Sequence, residues 1–220
     1  MTQRRDGERL PYNRGLIVLI GGTTGTGKST VASEVAHRLG ITRVTSTDFI
    51  RETMRAFFSY DEMPAVHHSS FEAWTAVEGG EDPLIAGFVE QCGLVCVGVD
   101  AAIRRSLTEG WSMVLEGVHL VPGMVPAFLE GALILHVIVE ISDENAHRMH
   151  FHVRDRATGG VRAMDKYLDR IDDIRRIQTF LVDCAQREGV EVVENTNVEQ
   201  AIDAVITLAM ELTDPVGRPA

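Results

Sequence analysis

The chain has 220 residues, of which 45% are hydrophobic and 24% are charged, and its formal net charge is −11. This length and composition predict one globular domain with a substantial core and exclude a disordered or fibrous chain. The negative charge argues against binding to nucleic acid or to an anionic membrane surface, because both carry negative charge themselves.

Short apolar runs alternate with helical patterns along the chain. The apolar, β-branched runs predict five strands, at residues 16–20, 43–46, 113–116, 132–140 and 190–194. Helical patterns are found at residues 29–39, 48–57, 84–107, 143–153, 164–188 and 198–212. Strands separated by helices predict an α/β fold, with a five-stranded parallel sheet covered by helices on both faces. Residues 1–14 and 213–220 are polar tails of this single domain, which spans 1–220.

The first predicted strand leads into GTTGTGKS, residues 22–29, a complete G-x-x-x-x-G-K-[ST] phosphate-binding loop that opens a helix. Its backbone N–H groups and the helix N-terminus favour phosphate, Lys28 reaches the β- and γ-phosphates, and the Ser29 hydroxyl ligates Mg²⁺. The residues predicted to bind the nucleotide here are Gly22, Thr23, Thr24, Gly25, Thr26, Gly27, Lys28, Ser29 and Thr30. The chain is therefore predicted to bind a nucleoside triphosphate.

The second predicted strand ends in Ser46-Thr47-Asp48, and Arg51 follows one helical turn later. Parallel sheets bind ligands beyond the carboxyl ends of their strands, so Asp48 is expected beside the phosphate loop. There it would orient an acceptor hydroxyl and accept its proton, while Arg51 pairs with an anionic group of the acceptor. The alternative is that Asp48 caps the helix, with Glu52 near the capping-box spacing. Both roles can coexist.

The third predicted strand ends in Glu116-Gly117-Val118-His119. An acidic residue at this strand end is where a Mg²⁺-associated carboxylate is expected, so Glu116 is predicted to hold a metal-bound water or to act as a base. Gly117 and His119 are predicted to lie at the acceptor. For His119, a loop histidine satisfied by the backbone is an equal alternative.

A helical acceptor-side flap is predicted at residues 51–107. Within it, Ser69 and Ser70 would bind an acceptor phosphate or cap a helix that starts at Phe71. A mobile lid that bears Arg154, Arg156 and Arg162 is predicted at 154–163. Such a lid excludes water and brings positive charge to the transferred group, although solvated surface arginines are the competing explanation.

The last predicted strand ends in Glu194-Asn195-Thr196-Asn197. Asn195 is predicted to meet the adenine, and turn chemistry explains the asparagine equally well. This loop contains no guanine-reading N-K-x-D run, which argues against a nucleotide switch. A metabolite kinase is favoured because Asp48, Arg51 and the lid accompany the phosphate loop. A phosphotransferase for a nucleoside, sugar acid or antibiotic is the second possibility.

Several of these stretches together resemble the 2-phosphoglycerate kinase family of P-loop small-molecule kinases. The matching stretches are residues 20–29, 46–55 (STDFIRETMR), 69–74 (SSFEAW), 97–116, 116–123 (EGVHLVPG), 167–181 (with IRRIQ) and 189–195. The resemblance implies ATP-dependent phosphorylation of the free hydroxyl of 2-phosphoglycerate, with Mg²⁺, to give 2,3-bisphosphoglycerate. Archaeal members carry a further N-terminal ATP-cone-like region, whereas only about fourteen residues precede the first predicted strand here.

Three cysteines, Cys92, Cys96 and Cys184, form no disulfide framework and fit a reducing compartment. The N-terminus has no signal-peptide pattern, and no run is expected to approach the ~18 apolar residues of a membrane-spanning helix. We therefore expect a cytoplasmic monomer or homodimer that binds ATP and an anionic small molecule.

Overall fold

The structure is a computed structural model that describes residues 15–77, 81–158 and 164–213, with residues 153–158 and 164 described by their backbone alone. Five parallel strands form one sheet in the order β2-β3-β1-β4-β5. They are β1 (Gly15–Gly21), β2 (Val44–Ser46), β3 (Met113–Gly117), β4 (Ala132–Glu140) and β5 (Glu191–Glu194). The predicted α/β fold with a five-stranded parallel sheet is confirmed.

Helices connect the strands in the described part of the chain. The α-helices are α1 (Lys28–Arg38), α2 (Thr47–Phe57), α3 (Pro83–Thr108), α4 (Glu144–Thr158), α5 (Met164–Leu168), α6 (Ile171–Glu188) and α7 (Val198–Thr213). Two short 3₁₀ helices, Pro64–His67 and Ala73–Ala76, lie between α2 and α3. The region 51–107, predicted as a helical acceptor-side flap, thus contains most of α2, both 3₁₀ helices and nearly all of α3.

Side chains of β1 alternate between the two faces of the sheet, because successive residues of a strand point in opposite directions. Leu16, Val18 and Ile20 pack with α1 and α7 on one face. Ile17 and Leu19 pack with α3 on the other. A second cluster on that side joins α3 to α6. The predicted cover of helices on both faces is therefore confirmed.

The predicted helix 164–188 is wrong at one point, because the chain forms two helices there. The backbone N–H groups of Asp169 and Arg170 close the end of α5, at 2.9 and 3.2 Å from their acceptors. A new helix then begins with Asp172 and Asp173 in its first turn, where carboxylates stabilise a helix N-terminus. No Gly or Pro marks this break, so the pattern of apolar residues alone did not reveal it.

Helix α3 is long and apolar enough to cross a membrane, by length and composition alone. The expectation that no segment approaches this composition is therefore wrong. One such helix is weak evidence of a membrane span, since the core helix of a globular protein has the same composition. Phe88, Val95 and Val99 of α3 are indeed buried in the two clusters on that face of the sheet.

Glycines allow α3 to approach its neighbours on the acceptor side. A Cβ on Gly98 would lie 2.5 Å from Cγ2 of Ile50 in α2, and one on Gly87 would overlap the backbone of Trp74. Close packing at these two points places α2 and the second 3₁₀ helix directly against α3.

Candidate active site

The predicted phosphate-binding loop, residues 22–29, leads from β1 directly into α1. Gly27 is the N-cap of α1, with φ 78° and ψ 6°, a left-handed conformation that glycine adopts without steric cost. A Cβ there would also lie 2.5 Å from Nδ2 of Asn195. The loop therefore brings the unpaired N–H groups at the start of α1 to the carboxyl edge of the sheet, where they favour an anion.

Asn195, which follows β5, supports this loop from the protein interior. Its Nδ2 donates a hydrogen bond to the carbonyl oxygen of Thr26 at 2.7 Å, and the residue is 1% exposed. The Thr26 hydroxyl in turn donates to the carbonyl of Thr23 at 3.0 Å. Asn195 thus has a structural contact with the loop, and its predicted contact with the adenine stays a prediction.

Two histidines of α4 hold the outer side of the same loop. His147 Nε2 donates to the carbonyl of Thr24 at 2.9 Å, and His150 Nδ1 donates to that of Gly25 at 3.2 Å. The His147 ring stacks on Phe151 at a centroid distance of 5.4 Å, and burial lowers its pKa. Because these carbonyls point outward to the histidines, the concave side of the loop is lined by backbone N–H groups.

Lys28 and Glu116 face each other at the carboxyl edge of the sheet. Glu116 pairs in register with Ile20 of β1 and Ser46 of β2, which places its carboxylate between the phosphate loop and the start of α2. Lys28 Nζ lies 3.9 Å from Glu116 Oε2, and the two side chains are only 12% and 10% exposed. This Oε2 is buried and accepts no hydrogen bond from the described residues. An unsatisfied buried oxygen of this kind calls for a further partner.

Asp48 lies in the first turn of α2, beside this pair. The N-cap of α2 is Ser46, whose Oγ accepts a hydrogen bond from the backbone N–H of Phe49 at 3.3 Å. The alternative that Asp48 caps the helix is therefore wrong. Its carboxylate is 60% exposed and lies 3.5 Å from Nε of Arg51, so it is open to a ligand.

Charges around Asp48 keep it ionised. Partial burial by the surrounding protein raises the pKa of Asp48, but nearby positive charges lower it by more, and the net pKa lies below its ordinary value. Those charges belong to His119, Lys28 and Arg51. Because His119 has a pKa of about 4, Lys28 and Arg51 exert this effect at neutral pH. An ionised, accessible carboxylate can accept a hydrogen bond from a hydroxyl group.

Arg51 is largely enclosed by the protein, with 11% of its side chain exposed. Its Nη1 donates to the carbonyl of Val66 at 2.8 Å, and its Nη2 donates to Oε1 of Glu52 at 2.6 Å. The guanidinium therefore holds the segment after α2 in place as well as lying beside Asp48. Its predicted pairing with an anionic acceptor group stays a prediction.

Ser69 and Ser70 lie in a turn between the two 3₁₀ helices. No α-helix begins at Phe71, and the 3₁₀ helix that starts at Ala73 has no side-chain cap, so the predicted capping role is wrong. Ser69 Oγ accepts from Nζ of Lys166 at 3.4 Å, whereas Ser70 is 7% exposed. Their predicted contact with the acceptor stays a prediction.

Gly117 and His119 lie directly behind Asp48. A Cβ on Gly117, whose φ is 151°, would overlap Oγ1 of Thr47 in the first turn of α2. His119 is completely buried, with Nδ1 at 2.8 Å from Thr47 Oγ1 and Nε2 at 3.1 Å from Oε1 of Gln91. Side chains and not the backbone satisfy the ring, so that alternative for His119 is wrong. Direct contact of either residue with an acceptor stays a prediction.

A cleft of about 470 Å³ opens beside the phosphate loop. It lies between the first turns of α1 and α7. Its lining residues are Ser29, Thr30, Ser33, Glu34, Val198, Glu199 and Ile202. Its walls combine the carboxylates of Glu34 and Glu199 with the apolar side chains of Val198 and Ile202.

No protein-family model matches the chain, but curated relatives do. The chain is 37% identical over 204 residues to the 2-phosphoglycerate kinase of Thermococcus kodakarensis, a match that covers 92% of this chain and 69% of that protein. The chain belongs to the 2-phosphoglycerate kinase family. It is also 39% identical over 195 residues to the enzyme of that name from Methanopyrus kandleri, covering 87% of this chain and 60% of the relative. The chain therefore spans less than two thirds of the length of that relative.

A solved structure, that of TT1252 from Thermus thermophilus, matches 91% of this chain and 100% of its own chain with a TM-score of 0.50 and 20% identity. This likeness concerns the fold alone. The family membership and the fold agree with the resemblance carried by the sequence motifs.

Part of the site of this 2-phosphoglycerate kinase family member lies outside the described residues. The side chain of Arg154 on α4 is outside them, as is that of Arg156, and residues 159–163, which include Arg162, are outside them altogether. The predicted Arg-bearing lid, 154–163, and the predicted contact of Arg154 with the nucleotide stay predictions.

Sequence reasoning missed four residues that support this site. Two of them, His147 and His150, share one face of α4 through their spacing of three, which was the available signal. Gln91 gave a weaker signal, as an isolated amide in an apolar helix. Thr47 gave none, because threonine is common at the start of a helix.

Proposed function

We propose that this protein is a kinase that transfers the γ-phosphoryl group of ATP to the free hydroxyl of 2-phosphoglycerate, giving 2,3-bisphosphoglycerate. The observation that carries this proposal is the approach of Lys28, Glu116 and Asp48 at one edge of the sheet. It occurs in a chain whose relatives in the same family carry the name 2-phosphoglycerate kinase.

The triphosphate would bind to the phosphate loop, residues 22–30, with Lys28 at the β- and γ-phosphates. The cleft between α1 and α7 supports a position for the base beside Thr30 and Val198. Asn195 would support nucleotide binding through the loop that it holds. Arg154 would bring further positive charge to the phosphates from the lid.

Magnesium fits the donor groups at the loop. The Ser29 hydroxyl lies at the start of α1, and Glu116 Oε2 is a buried oxygen that accepts no hydrogen bond from the described residues. These two groups would hold Mg²⁺, Ser29 directly and Glu116 through a bound water. When bound, Mg²⁺ neutralises negative charge on the β- and γ-phosphates.

Asp48 would orient the acceptor hydroxyl and accept its proton. Its ionised carboxylate accepts a hydrogen bond from the acceptor hydroxyl and orients the oxygen in line with the γ-phosphorus. As the new oxygen–phosphorus bond forms and the bond to the ADP oxygen breaks, the hydroxyl proton passes to Asp48. Lys28 remains close to the transferred group and compensates its charge.

The acceptor site would take an anion through local positive charge, although the chain as a whole is acidic. Arg51 lies beside Asp48 with N–H groups that its contacts to Val66 and Glu52 do not use. Lys166 lies beside Ser69 and pairs with Glu72 at 2.9 Å, which leaves one N–H of its ammonium for an anion. Ser69, Ser70, Gly117 and His119 complete the proposed acceptor side, the first two by contact and His119 from behind Asp48.

We further propose that the enzyme works in the cytoplasm as a monomer or homodimer and binds neither nucleic acid nor membrane. Its net charge of −11 supports the absence of a nucleic-acid partner. The burial of the apolar face of α3 against the sheet supports a protein outside the membrane.

A coupled ADP-release assay tests the acceptor. The purified protein, with ATP and Mg²⁺, is assayed against 2-phosphoglycerate, 3-phosphoglycerate, glycerate, gluconate and nucleosides. We expect the highest kcat/KM with 2-phosphoglycerate, and a bisphosphorylated product by phosphorus NMR. A higher kcat/KM with an uncharged acceptor, or ADP release without a phosphorylated product, would contradict the proposal.

A further inference from the structure

Three buried side chains connect the start of α2 to residues 64–70, which we call the acceptor segment. Thr47 Oγ1 lies 2.8 Å from His119 Nδ1, and His119 Nε2 lies 3.1 Å from Gln91 Oε1. The Gln91 amide then donates to two carbonyls of the acceptor segment, those of Ala65 at 2.6 Å and His68 at 3.0 Å. Thr47, His119 and Gln91 are each 0% exposed.

The hydrogen bonds between Thr47, His119 and Gln91 allow only one assignment of donors and acceptors. Gln91 uses both amide hydrogens on backbone carbonyls, so its oxygen must accept from His119 Nε2–H. A neutral imidazole has one N–H, and Nδ1 of His119 is therefore an acceptor. The Thr47 hydroxyl must donate to it. Each hydrogen bond on this path therefore has a defined donor and a defined acceptor.

His119 is neutral in this environment, as the arrangement requires. Burial lowers the pKa of His119 to about 4, and the negative charge of Asp48, which acts in the opposite sense, does not overcome it. Arg51 and Lys28 lower the pKa further. Cys96 of α3, which also packs here, donates to the carbonyl oxygen of His119 and not to its ring.

The two ends of this series of hydrogen bonds are attached to the two parts of the proposed acceptor site. At one end, Thr47 directly precedes Asp48 and lies so close to Gly117 that a Cβ there would overlap its hydroxyl. At the other end, the acceptor segment contains Ser69 and Ser70. Arg51 provides a parallel link, from α2 to the carbonyl of Val66 in the same segment.

We propose that Thr47, His119 and Gln91 form a positioning relay that holds the acceptor segment at a fixed distance from Asp48. The three residues do not touch the acceptor, and they act through the groups that do. This inference rests on the proposed function, because it assumes that Asp48 and the acceptor segment face the same acceptor. A shift of about 1 Å between two such groups can cost about 100-fold in rate, which gives a buried relay a reason to exist.

Matched substitutions test the relay. Gln91→Glu keeps the shape of the side chain and the acceptor for His119, but it leaves at most one donor, the O–H of a protonated carboxylic acid, for the two carbonyls of the acceptor segment. Thr47→Val removes the hydroxyl at constant shape, whereas Thr47→Ser keeps it. Gln178→Glu is the control, since Gln178 is 5% exposed and bonds both ways to the backbone of Ile141, away from the acceptor segment.

The measurements are kcat and KM for the acceptor, the ATP Kd by calorimetry, and the melting temperature. We expect Gln91→Glu and Thr47→Val each to lower kcat/KM for the acceptor by about tenfold to a hundredfold, with an ATP Kd within about twofold of wild type. Thr47→Ser should retain activity. Gln178→Glu should lower the melting temperature without this split between acceptor and ATP.

The double variant Thr47→Val/Gln91→Glu distinguishes a relay from two separate contacts. Since both residues act through His119, the double variant should lose no more kcat/KM than the larger single loss. Multiplied losses, equal loss of ATP binding, or the same split in Gln178→Glu would overturn the relay. If wild type phosphorylates a different acceptor, the proposed function fails, while the relay is still tested with that acceptor.

Discussion

The proposed nucleotide side and the proposed acceptor side of this site are built in different ways. The nucleotide side is one uninterrupted stretch, residues 22–30, whose backbone is held by a glycine conformation and by three outside donors, Asn195, His147 and His150. The acceptor side is assembled from α2, the end of β3, α3 and the acceptor segment, which side-chain hydrogen bonds join.

This difference predicts which single substitutions should affect acceptor turnover without affecting ATP binding. Main-chain N–H groups are present whatever the side chain, so a phosphate site made of them tolerates most single changes outside Lys28 and the glycines. A site joined by a few buried side chains loses alignment when one of them changes. We therefore expect many substitutions on the acceptor side to lower turnover while ATP binding stays intact. Single substitutions that abolish ATP binding should be uncommon.

Lys28→Ala should give the largest effect and is the one case in which both sides fail together. The ammonium lies 3.9 Å from Glu116, and the proposed mechanism places it at the β- and γ-phosphates, so its loss would remove charge compensation where the two sides meet. We expect turnover to fall by ~10³ or more, as for other groups that stabilise a transferred phosphoryl group. The measurement is steady-state turnover, with circular dichroism as the control for folding. Near-normal turnover by the folded variant would remove Lys28 from the mechanism.

Asp48→Asn should separate the two sides most clearly. The amide keeps the size of the carboxylate but cannot accept the acceptor proton, so kcat should fall by about 10² to 10⁴. The ATP Kd should stay within about twofold, because Asp48 lies on α2 and not on the phosphate loop. Calorimetric titration with ATP and an acceptor-dependent assay give the two values. An unchanged kcat would leave Asp48 without a catalytic role.

Arg51→Lys should give an intermediate effect confined to the acceptor. Lysine keeps the charge but cannot contact both the carbonyl of Val66 and Glu52 with a planar fork. The loss of such a charge-assisted contact is worth about 1.5–3 kcal/mol, roughly ten- to over a hundred-fold in kcat/KM for a phosphorylated acceptor. Arg55→Lys is the matched control, since Arg55 pairs only with Glu52 on the exposed face of α2 in the described structure. Equal losses in the two variants would contradict the prediction.

The smallest expected effect concerns stability and pH. Burial lowers the pKa of His136 on β4 to about 4, whereas an unfolded histidine titrates near 6.5. As the pH falls from about 6.5 toward 4, the unfolded chain therefore binds more protons than the folded one, and the free energy of unfolding decreases. His136→Gln should reduce the slope of melting temperature against pH in this window and leave acceptor turnover at pH 7 unchanged. Identical slopes would contradict this assignment.

Sequence patterns predicted the strand, loop and helix of the proposed nucleotide side well because this unit is local. The G-x-x-x-x-G-K-[ST] run, its preceding strand and its following helix are contiguous, and β4 is found at the predicted residues, Ala132–Glu140. The position of Glu116 was also predicted, since a strand-end acid is a local signal. Its distance from Lys28 was not, because that depends on β3 pairing with β1, which no local pattern specifies.

The acceptor side could be predicted only in part, for two physical reasons. Ser46 and Asp48 are both good N-cap residues, and their spacing cannot tell which one the helix uses. The hydrogen bonds of Gln91 to Ala65 and His68 join residues far apart in the chain, and any buried polar residue must find some partner. The sequence identifies Gln91 as a residue with that requirement but not the partner that satisfies it.

The central place of β1 in the sheet has a consequence for how the chain folds. β1 comes first in the described chain, whereas its two neighbours in the sheet, β3 and β4, begin only at Met113 and Ala132. Pairing between segments so distant in sequence is slow, because a long loop must close before any contact forms. The phosphate loop, complete as a motif within the first thirty residues, therefore acquires its shape late. We expect ribosome-bound chains that end before β4 to bind no ATP, whereas chains that extend past β5 regain binding.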